Sequence, residues 1–165
     1  MQLLFWHTHF MTTQLPLDSL RSSLWRLFLT AHTRLLERME KALAEANLPS
    51  MDWYDVLYTL KEAPDHSLRL SELADRVLLS RSNLTRLVDR LERAGLLCRK
   101  SCPTDRRGTF AVLTEEGLAM QQKMWVVYSD AIATYFATHV EDDEAQMLLP
   151  LLKRLIAGAE ASSNS

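Results

Sequence analysis

A mostly α-helical (α+β) chain with one small β-hairpin is the fold class this sequence predicts, on three observations. Apolar residues recur at i, i+3, i+4 and i+7 along most of the chain. Only four glycines and five prolines occur in 165 residues, so long helices can run unbroken. The period changes from helix to strand in one region, Leu96 to Leu113. The length fits one domain or two small units sharing a core. No apolar run reaches the roughly 20 residues that span a bilayer.

Residues 1–16 read as an N-terminal arm without the basic start and cleavage site of a signal peptide. Met11 is a second candidate start, because the regular helical pattern begins only after it. The first helix is expected from Leu17 to Ala46, inside a segment 17–48, and carries two apolar stripes. Two stripes require two buried faces, one in the chain's own core and one against a partner. Pro49 ends that segment. A second helix follows with Ser50 as N-cap and Asp52 in its first turn. Two short helices come next, one burying Leu70, Leu73, Ala74 and Val77, the other Leu84, Leu87, Val88 and Leu91. Ser80 is expected to cap the second of these, and Gly95 to end it in the left-handed region. Strands 96–101 and 108–113 then flank a polar tip. Thr114 caps a long helix to Phe136. A last helix from Asp142 turns Ala145, Leu148, Leu149, Leu152, Leu155 and Ile156 inward, with a kink expected at Pro150. Residues 161–165 read as a frayed tail.

Charge is distributed unevenly. The chain carries −2 overall, yet Arg69 to Arg107 holds ten Arg or Lys against five Asp or Glu, a local +5 that leaves −7 elsewhere. One basic segment in an acidic chain marks a localised polyanion site, although a solvated arginine-rich helix face looks the same by charge alone. Two short helices followed by a hairpin describe a winged helix-turn-helix lobe over 49–114, flanked by helices at 17–48 and 115–160 suited to dimerisation. Opposite the leucine stripe of its second helix lie Ser82, Thr85, Arg86 and Asp89, with Arg81, Asn83, Arg90 and Arg93 beside them. Short hydroxyls, an amide and arginines reach base edges and phosphates in a major groove. Asp89 is expected to neutralise Arg93 or to orient Arg86. At the hairpin tip, Arg106 and Arg107 suit a narrow minor groove, with Asp105 holding Arg107.

These residues resemble the MarR family of bacterial transcription regulators. The match runs through residues 68–117 and is sharpest at "LTRLVDRLERAGL", "PTDRRG" and "LTEEG". The resemblance implies a cytoplasmic homodimer built on the first and the last two helices. It further implies binding to a pseudo-palindromic double-stranded DNA operator, usually as a repressor, and release by a small, often phenolic, effector. By motif position the recognition contacts fall on Ser82, Asn83, Thr85 and Arg86, and the wing pair on Asp105 and Arg107.

Other constellations are thinner. Trp25, Phe28 and His32 recur one turn apart on the first helix and, with Trp53 and Trp125, could hold a flat aromatic acid, or simply fill core and interface. Cys98 and Cys102, on one strand face about 13 Å apart, cannot bridge internally. Arg99 and Lys100 could lower a thiol pKa there, but the inert reading is preferred over a redox switch. His7, His9, His32, His66 and His139 have no metal-ligand spacing. Neither a phosphate loop nor a nucleophile with a nearby base occurs, so no enzyme and no cofactor are expected. The competing reading is a winged-helix protein-interaction module that does not touch DNA. Arg86 together with the Asp105-Arg106-Arg107 tip argues against it, since a docking winged helix has no need of both.

Overall fold

The computed structural model describes residues 17–78, 83–101 and 108–161. The elements are α1 (Ser19–Glu45), α2 (Met51–Lys61), β1 (Ser67–Arg69), α3 (Leu70–Arg76), α4 (Leu84–Arg93), β2 (Leu97–Ser101), β3 (Thr109–Leu113), α5 (Glu115–Tyr135) and α6 (Asp142–Ala161). One-turn 3-10 helices precede β1 (Pro64–His66) and α6 (Ala137–His139). The chain clusters into two compact units divided between Arg34 and Leu35, within α1.

In the first unit, Asp18 caps α1: its Oδ1 accepts from the Arg21 backbone N–H at 2.7 Å, and its Oδ2 pairs with the Arg21 guanidinium. Leu20, Leu24, Leu27 and Phe28 are exposed, so the apolar stripe of this segment is uncovered among the described residues. Trp25 stacks on Phe28, with ring centroids 6.1 Å apart. His32 is exposed.

In the second unit, Met39 and Leu43 of α1 are buried, and Leu43 joins a core with Val56, Leu57, Leu60, Leu73, Val88, Leu91, Leu97, Ala111 and Met124. The inward stripe expected for α4, Leu84, Leu87, Val88 and Leu91, is the one found, while α2 buries Tyr54, Val56, Leu57 and Leu60 and leaves Trp53 half-buried. Gly95, at φ +75°, ends α4 as anticipated. Thr114 caps α5 by accepting from the Gly117 N–H at 3.0 Å.

Three expectations are corrected and one, the hairpin, is extended. Ser50 stands at the N-cap of α2, but its hydroxyl donates to the Asp52 carboxylate and caps no backbone N–H. The hairpin is two strands of a three-stranded antiparallel sheet ordered β1-β3-β2, with Leu68 opposite Ala111 and Arg99 opposite Ala111 from the other side. A three-residue strand has no periodicity to read, and only its partner β3 makes it one. The interior of α5 holds Gln121, Met124 and Ala131, whereas Trp125 is exposed. Finally, α6 buries no residue: Leu149 is 58% and Ile156 59% exposed. The helix runs through Pro150, and its apolar stripe is left exposed among the described residues. Ser80 and residues 162–165 lie outside the described residues.

Candidate nucleic-acid interface

The second unit displays α4 with one face in the core and one in solvent. Leu84, Leu87, Val88 and Leu91 are buried, while Thr85, Arg86, Arg90 and Arg93 are exposed on the opposite side. Asn83 occupies the N-cap position with its side chain not used as a cap, and is also exposed. Together Asn83, Arg86, Asp89, Arg90 and Arg93 of this face and Asp52 of α2 line a shallow groove of about 460 Å³. Among the described residues, Arg86 has no hydrogen-bond or ion-pair partner. Arg81, Ser82, Asp105, Arg106, Arg107 and Cys102 lie outside the described residues. The base of the wing is described as far as the pair Ser101–Thr109.

The arginines of this region are not equivalent. Arg99 on β2 is only 26% exposed and forks between two α4 carboxylates, its Nη2 donating to Asp89 Oδ1 at 2.5 Å and its Nη1 to Glu92. Its backbone N–H also donates to Glu92 Oε1 at 3.0 Å. The Asp89 bond, opposed by burial and reinforced by Glu92, raises the guanidinium pKa further. This corrects the expectation for Asp89: its carboxylate serves Arg99, and Arg93 reaches only its backbone carbonyl, Nε to O 3.1 Å. Arg99 is ten residues away in sequence, so helix-spacing rules do not find it. The fork fastens α4 to the strand β2.

Arg90 is also engaged. Its Nη2 donates to Asp52 Oδ2 at 3.2 Å. One turn along α2, Asp55 Oδ2 accepts from the Leu78 N–H at 2.7 Å, pinning the backbone that leaves α3. Asp52 and Asp55, with Val56, Val77, Asn83, Leu84 and Leu87, surround a cavity of about 220 Å³ behind the start of α4. The signal available in sequence was two acids three residues apart beside an apolar stripe, which reads equally well as solvated surface. After subtraction of Arg99 and Arg90, positive charge on the outward face of α4 is concentrated at Arg86 and Arg93.

The aromatic expectations are redrawn. Within the second unit Trp125 meets Tyr54 and Tyr128 (centroids 6.3 and 6.1 Å), and Tyr54 also meets Tyr58 and Tyr128. Trp53 packs against the core without joining these rings. Gln121, only 2% exposed, donates to Tyr54 Oη at 3.3 Å. Burial pushes the Tyr54 phenol up to about 12 against the opposing effect of that bond, and burial likewise raises Tyr128. The described residues hold no cluster of three metal-ligating side chains, and Cys98 is a free, half-buried thiol opposite Val112.

A three-helix lobe, a small antiparallel sheet and an outward-facing basic helix define a winged helix-turn-helix protein. The MarR family model matches residues 46–108. The AbsC regulator of Streptomyces coelicolor, a MarR family protein, superimposes with a TM-score of 0.80 at 30% identity, over 90% of this chain and 99% of that one. The MarR family regulator Sco3205 from the same organism, solved in complex with DNA, gives 0.81 at 28% identity over 89% of this chain and 92% of that one. The regulator MhqR of Bacillus subtilis is 29% identical over 136 residues, 81% of this chain and 90% of its own. The chain belongs to the MarR family, whose members are transcription regulators and not enzymes.

Proposed function

We propose that this chain is a sequence-specific regulator that binds duplex DNA as a homodimer, represses transcription, and releases its operator to a small aromatic effector. The observation that carries the proposal is the face of α4: Arg86, exposed and unpaired among the described residues, stands beside Asn83 and Thr85 and opposite four buried aliphatic side chains. A guanidinium presented this way can donate two bonds to a guanine edge, with Thr85 and Asn83 near the helix start where a helix enters the major groove. On this reading Arg81, Ser82, Asp105, Arg106 and Arg107 complete the contacts, and Arg90 takes a phosphate. That the structural relative Sco3205 was solved in complex with DNA supports the DNA-binding reading.

The uncovered apolar faces support the homodimer. Leu20, Leu24 and Leu27 on the first part of α1, and separately Leu148, Leu149, Leu155 and Ile156 on α6, are large and exposed, and a second copy would remove them from water. A pseudo-palindromic operator follows from that symmetry. For the effector, Trp125 above Tyr54 and Tyr128 offers an exposed ring on an aromatic bed, and Trp25, Phe28 and His32 present a second aromatic surface on α1. The described residues contain no helix long and apolar enough to cross a membrane.

Selection of bound duplexes from a random pool tests the reading. Recovery of a two-fold symmetric site, and its loss with aromatic acids present, is the expected result. Failure of Arg86→Ala to change affinity for the selected site removes the assignment.

A further inference from the structure

We propose that Asp52 is an internal stand-in for a DNA phosphate. It holds Arg90 of α4 in the free protein and yields it to the nucleic-acid backbone on binding, so an α2 residue sets the affinity and salt response of the α4 surface. This rests on the reading that α4 faces DNA.

The geometry supplies each part. Asp52 Oδ2 accepts from Arg90 Nη2 at 3.2 Å, and both residues line the groove that also contains Arg86. The pair is half open to water, with Arg90 51% and Asp52 31% exposed, so water and a competing anion can reach it. Asp52 is itself anchored. Its other oxygen accepts from the Trp53 N–H at 2.9 Å and from the Ser50 hydroxyl, so the carboxylate stays in place when Arg90 leaves. Partly exposed pairs of this kind are weak enough to exchange for a phosphate oxygen. The exchange leaves a carboxylate near the duplex that recovers a cation from solution, which cancels one of the counterions released on binding. Asp52 is thus a positioning residue that acts through Arg90 and makes no contact with a base.

The test compares the full chain with Asp52→Asn, Arg90→Gln and the double variant. The probe is a random-sequence duplex long enough for two half-sites, titrated by fluorescence anisotropy across a salt series. Asparagine keeps the oxygen that accepts from Ser50 and Trp53, and matching thermal melts check that it does. Asp52→Asn is expected to bind about two- to fivefold tighter for each recognition helix engaged. Its plot of log affinity against log salt should steepen by about one unit per helix. Both gains should vanish in the Arg90→Gln background. Unchanged or weaker binding by a folded Asp52→Asn overturns the proposal, as does a gain that survives loss of Arg90, which is a through-space charge effect. If the native chain binds no duplex at low salt, the DNA reading itself fails and the proposal falls with it.

Discussion

Replacing Gly117 by alanine pits two effects of opposite sign against each other, and the structure decides between them. Gly117 lies in the first turn of α5, where alanine ordinarily improves a helix by about 1 kcal/mol. A Cβ built there falls 1.9 Å from the backbone carbonyl oxygen of Leu96 and 2.8 Å from Leu113 Cδ1. The oxygen belongs to backbone, so no rotamer change relieves the contact. Reaching even 3.0 Å needs a shift of about 1.1 Å between α5 and the start of β2. That same oxygen accepts from the Thr114 N–H at 3.2 Å, Thr114 Oγ1 donates to Gly95 O at 2.7 Å, and Gly117 N–H donates to Thr114. The displacement therefore strains a cap worth about 1 kcal/mol as well as costing about 1–3 kcal/mol in overpacking. Less the helix gain, Gly117→Ala should destabilise by about 1–3 kcal/mol, lowering the melting temperature by roughly 2–12 °C for a chain of this size. Gly158→Ala is the control: nothing lies within 4 Å of its added Cβ on α6, and it should be neutral or stabilising by up to about 1 kcal/mol. Thermal and urea melts on both variants decide the matter. A Gly117→Ala protein as stable as the native chain would show that α5 and β2 do not meet through this backbone contact.

Arg86→Ala should weaken binding to the selected operator by about 1–3 kcal/mol and relax preference at one base position, read by gel-shift titration on single-substitution duplexes. Arg99→Ala should cost about 1–3 kcal/mol of stability by leaving Asp89 and Glu92 without their shared donor, and Arg99→Lys should restore little, since an ammonium lacks the fork; full rescue by lysine in urea melts would refute the fork. Tyr54 titrates at about 10 when unfolded and about 12 when folded, so the native state holds its proton longer. That stability is fully present below pH 10 and is lost as pH rises from 10 through 12. Tyr54→Phe should flatten that fall in denaturation midpoints taken across this range, leaving the part due to Tyr128.

How much could be read in advance follows the range of the interactions. Helix faces were legible because period and burial are two expressions of one geometry: Leu84, Leu87, Val88 and Leu91 had to share a side, so Thr85 and Arg86 had to share the other. Thr114 and Gly95 were legible because caps act within one turn. Ser50 was misread because a neighbouring carboxylate took its hydroxyl.

The amino-acid order alone therefore determined the helices, the hairpin, the family motifs and the polar face of α4, all consequences of contacts within a few residues. Folding decided which charges on that face are available. Arg99 meets Asp89 and Glu92, and Arg90 meets Asp52, only because β2 and α2 pack beside α4. Sequence spacing cannot report such pairs, since attraction between charges depends on their separation in space, and residues 38 positions apart here stand 3.2 Å apart.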